Sequence, residues 1–117
     1  MASTPPLSPV RFAGSTVYIS GQLPRGGDGK IITGDMQDQC RQALSNLKTV
    51  LKSEGLELSH VVKVTAWITD ADYMADFNLV YREFFAEPYP TRSTIVSALV
   101  VPEAMVEVEA IAYRDSK

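Results

Sequence analysis

The sequence predicts an α+β domain in which two helices cover one face of a sheet. Three features carry that expectation. Apolar residues recur at spacings of three and four in two separate stretches, residues 36–51 and 74–85. The stretch between them, VVKVTAWI at residues 61–68, is rich in β-branched groups. The closing segment, residues 105–113, alternates with a period of two.

Taken in order, the elements read ββ(β)αβαββ. Residues 1–9 (MASTPPLSP) form a Pro-rich arm expected to be flexible, ahead of a single domain over residues 10–115. Residues 10–12 and 16–20 flank Ala13-Gly14-Ser15, a hairpin with a glycine turn. Residues 21–24 (GQLP) end its regular pairing, RGGDGK at residues 25–30 is a glycine-rich turn, and Ile31-Ile32 reads as a short edge strand. Met36, Cys40, Ala43, Leu44, Leu47, Val50 and Leu51 make one apolar stripe on a helix of about five turns. Thr33 or Asp35 can cap its start, and Gly55 stands where a left-handed C-terminal cap belongs. In the strand at residues 61–68, Val62, Val64, Ala66 and Ile68 are expected on one face. Asp70 can cap a second helix running to Phe85, with Met74, Phe77, Tyr81, Phe84 and Phe85 inward, and Pro88-Tyr89-Pro90 stops it. Residues 91–98 form a strand, 101–104 a turn and 105–113 the last strand. There Val106, Val108, Ala110 and Ala112 suit packing under the helices. Met105, Glu107, Glu109 and Ile111 form the other face, with Thr65 and Trp67 on the open side of the neighbouring strand. A sheet apolar on both sides but covered on one wants a partner on the other, and homo-oligomerisation is the simplest supply.

Composition narrows the function classes. The chain has 117 residues, a net charge of −3, 45% hydrophobic and 21% charged residues, and a pI near 5.0. That suits one globular domain. The mild acidity gives no broad basic field for nucleic acid or an anionic membrane. One Cys and one His supply neither an internal disulfide nor the ligands of a typical structural zinc site. No segment approaches the ~18 consecutive apolar residues of a membrane helix, and residues 1–9 lack the charged start and apolar run of a signal peptide. The default expectation is cytoplasmic.

Among candidate site residues, the glycine cluster at residues 26–29 lacks the Lys-Ser/Thr and following helix of a phosphate loop, so it reads as a flexible turn. His60 at a helix-to-strand junction reads as a surface or capping residue, and Cys40, on the apolar stripe, as a buried inert thiol. Arg92 differs. It follows Pro88-Tyr89-Pro90-Thr91 and is flanked by the hydroxyls of Thr91, Ser93 and Thr94. A guanidinium held by a rigid loop suits a small carboxylate, and a surface salt bridge is the plainer alternative. Glu107 and Glu109 read as a solvated or ion-paired face, or as a site where one carboxylate has a raised pKa and moves protons.

Six segments together point further: VYISGQLP at residues 17–24, RQALSNLK at 41–48, VVKVT at 61–65, FNLVYREFF at 77–85, PTRST at 90–94 and VEVEAIA at 106–112. Across residues 7–113 the chain resembles the RidA (YjgF) family of reactive-intermediate deaminases. The resemblance implies a chorismate-mutase-like subunit with a mixed sheet, three of which form a homotrimeric barrel with active sites in the inter-subunit clefts. It implies hydrolysis of 2-imino or enamine acids to 2-keto acids and ammonia, with no metal or organic cofactor. It assigns Arg92 to the substrate carboxylate and Glu107, rather than Glu109, to the water. Ser20 and Gly21 match the substrate-contacting loop, Asn78 a cleft position, and Thr94 the place of a pocket Cys. Leu7 stands where the archetype has a Tyr whose hydroxyl reaches the cleft. That departure implies a more apolar pocket and a substrate differing from the archetype's small imino acids, towards an aminomuconate-like or larger acid. The competing readings are a non-catalytic module binding a small carboxylate, an endoribonuclease, for which the sequence offers no basic stripe, and a holdase-like chaperone, for which it offers no specific feature.

Overall fold

The hairpin forms first in the chain. Strands β1 (Val10–Ala13) and β2 (Thr16–Gln22) pair antiparallel from Ala13–Thr16 outward. The two residues between them turn because Gly14 takes φ +61°, a left-handed conformation that glycine adopts without a Cβ penalty. The computed structural model describes residues 4–115. Within the arm, residues 1–3 lie outside that range. Its far end is tied down: Ser20 donates from Oγ to Ser8 O at 2.6 Å and from its amide to Pro9 O at 3.0 Å.

β2 continues to Gln22, further than residues 16–20, but its register against the last strand shifts between Ile19 and Gln22. The bulge takes Ser20 and Gly21 out of the regular ladder. Ile31 and Ile32 do not form a strand; they meet residues 24–25 only through an isolated bridge, Arg25 to Ile31, and the bond from Ile32 N to Pro24 O at 3.0 Å. The glycine-rich turn closes instead on itself, with Gly26 N to Lys30 O at 2.8 Å and Lys30 N to Asp28 Oδ1 at 2.9 Å.

Helix α1 (Met36–Ser53) begins on Asp35, whose carboxylate accepts from Asp38 N while Asp38 accepts from Asp35 N. Two amides without helical partners are thereby satisfied. It ends as expected at Gly55, φ +74°. Gly55 N donates to Lys52 O and Leu56 N to Leu51 O, the paired bonds of a Schellman cap. The apolar stripe is buried as expected except for Val50, which is half-buried. Gln39 joins it: 3% exposed, it donates to the carbonyls of Ile32 and Glu103 and accepts from Met105 N.

A 3-10 turn at Leu58–His60 leads into β3 (Val61–Ile68). Here one expectation fails. Val62 is 50% exposed and Val61 is buried in its place. The register against the last strand shifts between Val61 and Lys63, so simple alternation counted from Val62 gives the wrong face at this end. Asp70 caps a 3-10 turn (Ala71–Tyr73), and α2 (Met74–Phe84) follows, with Phe77, Val80 and Tyr81 buried. β4 (Thr91–Val96) is two residues shorter than expected, and β5 is Val106–Tyr113.

The sheet order is β1-β2-β5-β3-β4. β4 lies at the edge, parallel to β3, and every other pairing is antiparallel. The mixed α+β sheet is therefore as expected. α1 and α2 pack on one face against Val17, Ile19, Val64, Ala66, Ile68, Val106 and Val108. Among the described residues no element covers the other face. It presents Tyr18, Trp67, Ile95 and Ile111 with Glu107 and Glu109. Among the described residues no helix is long and apolar enough to cross a membrane.

Candidate active site

Two clusters hold the candidate residues, and the parity of the strands puts them on opposite faces of the sheet. Arg92, second in β4, stands opposite Val64, whose side chain is fully buried beneath the helices. Arg92 therefore points to the helix-covered side. Its Nη2 donates to Asn78 Oδ1 at 2.8 Å. The guanidinium carbon lies 4.7 Å from the Tyr81 ring centroid and 5.1 Å from that of Phe77. Both rings and Asn78 come from α2, where positions 77, 78 and 81 fall within one turn. A cation over two aromatic faces, gripped by an amide, is oriented before any ligand arrives. Among the described residues no carboxylate pairs with it; the one ion pair there joins Arg41 and Glu83. The guanidinium opens on a hollow of about 370 Å³ lined with Asn78, Tyr81, Arg82, Tyr89 and Pro90. Burial pushes the Tyr81 phenol up to about 12, against a smaller opposing effect of Arg92, so it stays neutral. Thr94 follows on the same face, half-buried opposite Ala66.

Glu107 stands opposite Trp67 in the β3–β5 ladder, on the uncovered face. The bulge in β2 brings Gly21 hard against it: a Cβ on Gly21 would overlap Glu107 Oε2. Burial raises the Glu107 pKa above the usual carboxylate range, the negative charge of Glu109 adds to the rise, and Arg25 opposes it. Glu109 itself is exposed. A hollow of about 310 Å³ surrounds the carboxylate. Ser20 sits next to Gly21, but its hydroxyl is spent on the arm, at Ser8 O. Leu7, just before that anchor, is 61% exposed.

Gly21 and Glu107 thus come together, with Ser20 adjacent in the chain, as do Asn78 and Arg92, with Thr94 two residues further along the same strand face. Within one chain the two groups do not meet. Of the remaining candidates, His60 is a cap: its Nδ1 accepts from Glu57 N at 2.9 Å. Cys40 is fully buried, and burial pushes its thiol up to about 12, so it is no nucleophile at neutral pH. Among the described residues no three His, Cys, Asp or Glu side chains gather as metal ligands would.

Sequence reasoning missed the roles of Phe77, Tyr81, Trp67 and Arg25 around these groups. The two aromatics were legible only as core. The available signal was Asn78 between them, a polar residue beside an apolar stripe. Trp67 and Arg25 reach Glu107 through strand register and loop path, which sequence spacing does not encode.

Comparison with known proteins adds the following. Residues 1–114 match the family described as Endoribonuclease L-PSP. A RutC family protein of Pyrococcus horikoshii is 38% identical over 111 residues, 94% of this chain and 88% of that protein. The 2-iminobutanoate/2-iminopropanoate deaminase of Dermatophagoides farinae is 37% identical over 107 residues, 91% of this chain and 84% of its own. Among solved structures, E. coli TdcF with bound serine superposes with a TM-score of 0.87 at 38% identity, covering 97% of this chain and 91% of the other. RidA from an Antarctic Psychrobacter gives 0.88 at 33% identity, covering 96% and 91%.

Proposed function

The chain belongs to the Endoribonuclease L-PSP family, whose relatives include proteins named as imine and reactive-intermediate deaminases, and from that premise we propose that it hydrolyses 2-imino or enamine acids to 2-keto acids and ammonia. The observation that carries the reading is Arg92: a guanidinium fixed by Asn78 and two aromatic rings, opening on a hollow, with no carboxylate partner among the described residues. Such a group suits the carboxylate of a small acid.

Glu107 takes the second role. Arg92 binds the substrate carboxylate and fixes the C=N carbon. Water held by Glu107 attacks that carbon, and the carboxylate accepts its proton. That proton passes to nitrogen to give a carbinolamine; its hydroxyl then gives up its proton, by way of the Glu107 carboxylate, to the amino group, and the C–N bond breaks to leave ammonia and the keto group. One water is consumed and nothing is oxidised or reduced. An enamine enters after protonation at carbon. Imines hydrolyse readily unaided, so positioning and modest proton transfer suffice. Because Arg92 and Glu107 lie on opposite faces of one sheet, the proposed site forms between copies. The open face and the β4 edge supply the surfaces, and a homotrimer is the proposed assembly.

The test generates an imino acid in situ with an amino-acid oxidase and follows its disappearance. Acceleration over free hydrolysis is expected. Arg92→Ala is expected to keep fold and oligomeric state and to lower kcat/KM by roughly 10²-fold, the loss of a charge-assisted pair. No acceleration with any imino acid refutes the deaminase, and binding of keto acids without turnover would favour a metabolite-sensing module. The ribonuclease named in the family description has little support in a chain of net charge −3.

A further inference from the structure

The two hollows differ in chemistry, and from that difference we infer that the protein selects imino acids with an extended apolar side chain, Trp67 being the residue that sets the preference. The inference rests on the hydrolytic reading above. Around Arg92 the walls are largely polar or cationic, with Asn78 and Arg82 among them, which suits the carboxylate end of a substrate. Around Glu107 the walls combine an apolar side, Trp67, Ala98, Leu99 and Val100, with the polar Ser97 and Glu109.

Trp67 is the direct cross-strand neighbour of Glu107. Such neighbours have Cβ atoms about 5 Å apart on one face, so whatever reacts beside the Glu107 carboxylate lies within reach of the indole. Trp67 is half-buried in the chain, leaving part of the ring as wall. Opposite it, residues 97–100 leave the end of β4, held at their start by Ser97 N donating to Ile68 O at 3.0 Å. Leu99 in this segment is half-buried, and Val100 is 97% exposed. The bulge at Gly21 closes the remaining side with backbone. With its carboxylate on Arg92 and C2 at the Glu107 water, a substrate places its third group, the side chain, along the Trp67 wall. A methyl leaves that wall wet. A branched four-carbon chain covers it, and each methylene seated in an apolar pocket gives on the order of tenfold in kcat/KM.

The experiment compares kcat/KM for the imino acids made in situ from leucine and from alanine. A leucine-to-alanine ratio of at least tenfold is expected for the wild type. In Trp67→Ala the ratio is expected to fall below threefold, and in Leu99→Ala to fall part of the way. A wild-type ratio near one, or a Trp67→Ala variant that loses both substrates equally, overturns the inference. Size-exclusion chromatography of the same variants covers the other occupant of this wall, a second copy of the chain. A changed oligomeric state with an unchanged ratio would also overturn it. If the wild type accelerates the hydrolysis of neither these two nor any other imino acid, the hydrolytic reading fails by itself. Calorimetry with pyruvate and 4-methyl-2-oxopentanoate then reads the wall directly: tighter binding of the branched acid, lost in Trp67→Ala, supports it, and equal binding refutes it.

Discussion

At Gly21 the chain has no room for a side chain, because the space belongs to Glu107 Oε2. The overlapping atom is the far end of a flexible carboxylate rather than backbone, so Gly21→Ala is expected to displace Glu107 and leave the fold intact. The measurement is kcat/KM against thermal midpoint: a loss of at least tenfold in the first, with a shift of a few degrees or less in the second. Glu107 also makes a pH prediction. Burial and the charge of Glu109 raise its pKa in the folded chain above the ordinary 4.5. The folded state therefore holds this proton to higher pH than the unfolded state does. The stability it contributes is fully present below the unfolded pKa and lost as pH rises through the folded one. Glu107→Gln, neutral at every pH, is expected to be more stable than the wild type at neutral pH. That advantage should vanish as pH falls below the usual carboxylate range, which urea titrations at two pH values will read. For the same reason the acid limb of wild-type kcat/KM should lie above the pH of an ordinary glutamate.

The elements show what local chemistry can and cannot specify. α1 has an apolar stripe, an Asp box at one end and a left-handed glycine at the other, and all three are written in neighbouring residues. Gly55 tests that directly. It holds φ +74° with open space around its Cα, so Gly55→Ala meets no clash and reads backbone strain alone. The expected cost is about 1 kcal/mol, or roughly 4 °C in Tm, and an unchanged Tm would mean the cap relaxes. The strands were legible as strands from their period of two, but three details were not. The bulge at the start of β3 exchanged Val61 for Val62. The Ile31-Ile32 pair looked like a strand but pairs with residues 24–25 only through an isolated bridge. β4 proved to be a parallel edge strand, and its register places Arg92 opposite Val64 rather than on the face of Glu107. Each depends on a partner distant in sequence, and a single strand's alternation says nothing about which face its neighbour shares. Arg92 and Glu107 were therefore identifiable as candidates by residue type and resemblance, while their separation required the sheet.

That separation has a consequence for the whole molecule. If the proposed site lies between copies, each site takes Arg92 and Asn78 from one chain and Glu107 with Gly21 from the next. In a cyclic assembly the same pairing recurs at every interface. An Arg92→Ala chain still supplies a good Glu107, and a Glu107→Gln chain still supplies a good Arg92. Each variant alone has every site broken. Dissociated, mixed in equal amounts and reassembled, they form interfaces at random. About one interface in four then joins the intact Arg92 of one chain to the intact Glu107 of another. Activity near a quarter of the wild type is expected from the mixture, against near zero from either variant alone. Recovery should appear only after subunits exchange, so mixing intact oligomers without dissociation serves as the control. If both residues acted within one chain, no mixture could contain a complete site and no activity would return. The uncovered face with Tyr18, Ile95 and Ile111 supplies apolar area for such an assembly. Dilution below the dissociation constant is therefore expected to lower specific activity of the wild type in step with loss of the oligomer, measured by sedimentation on the same samples.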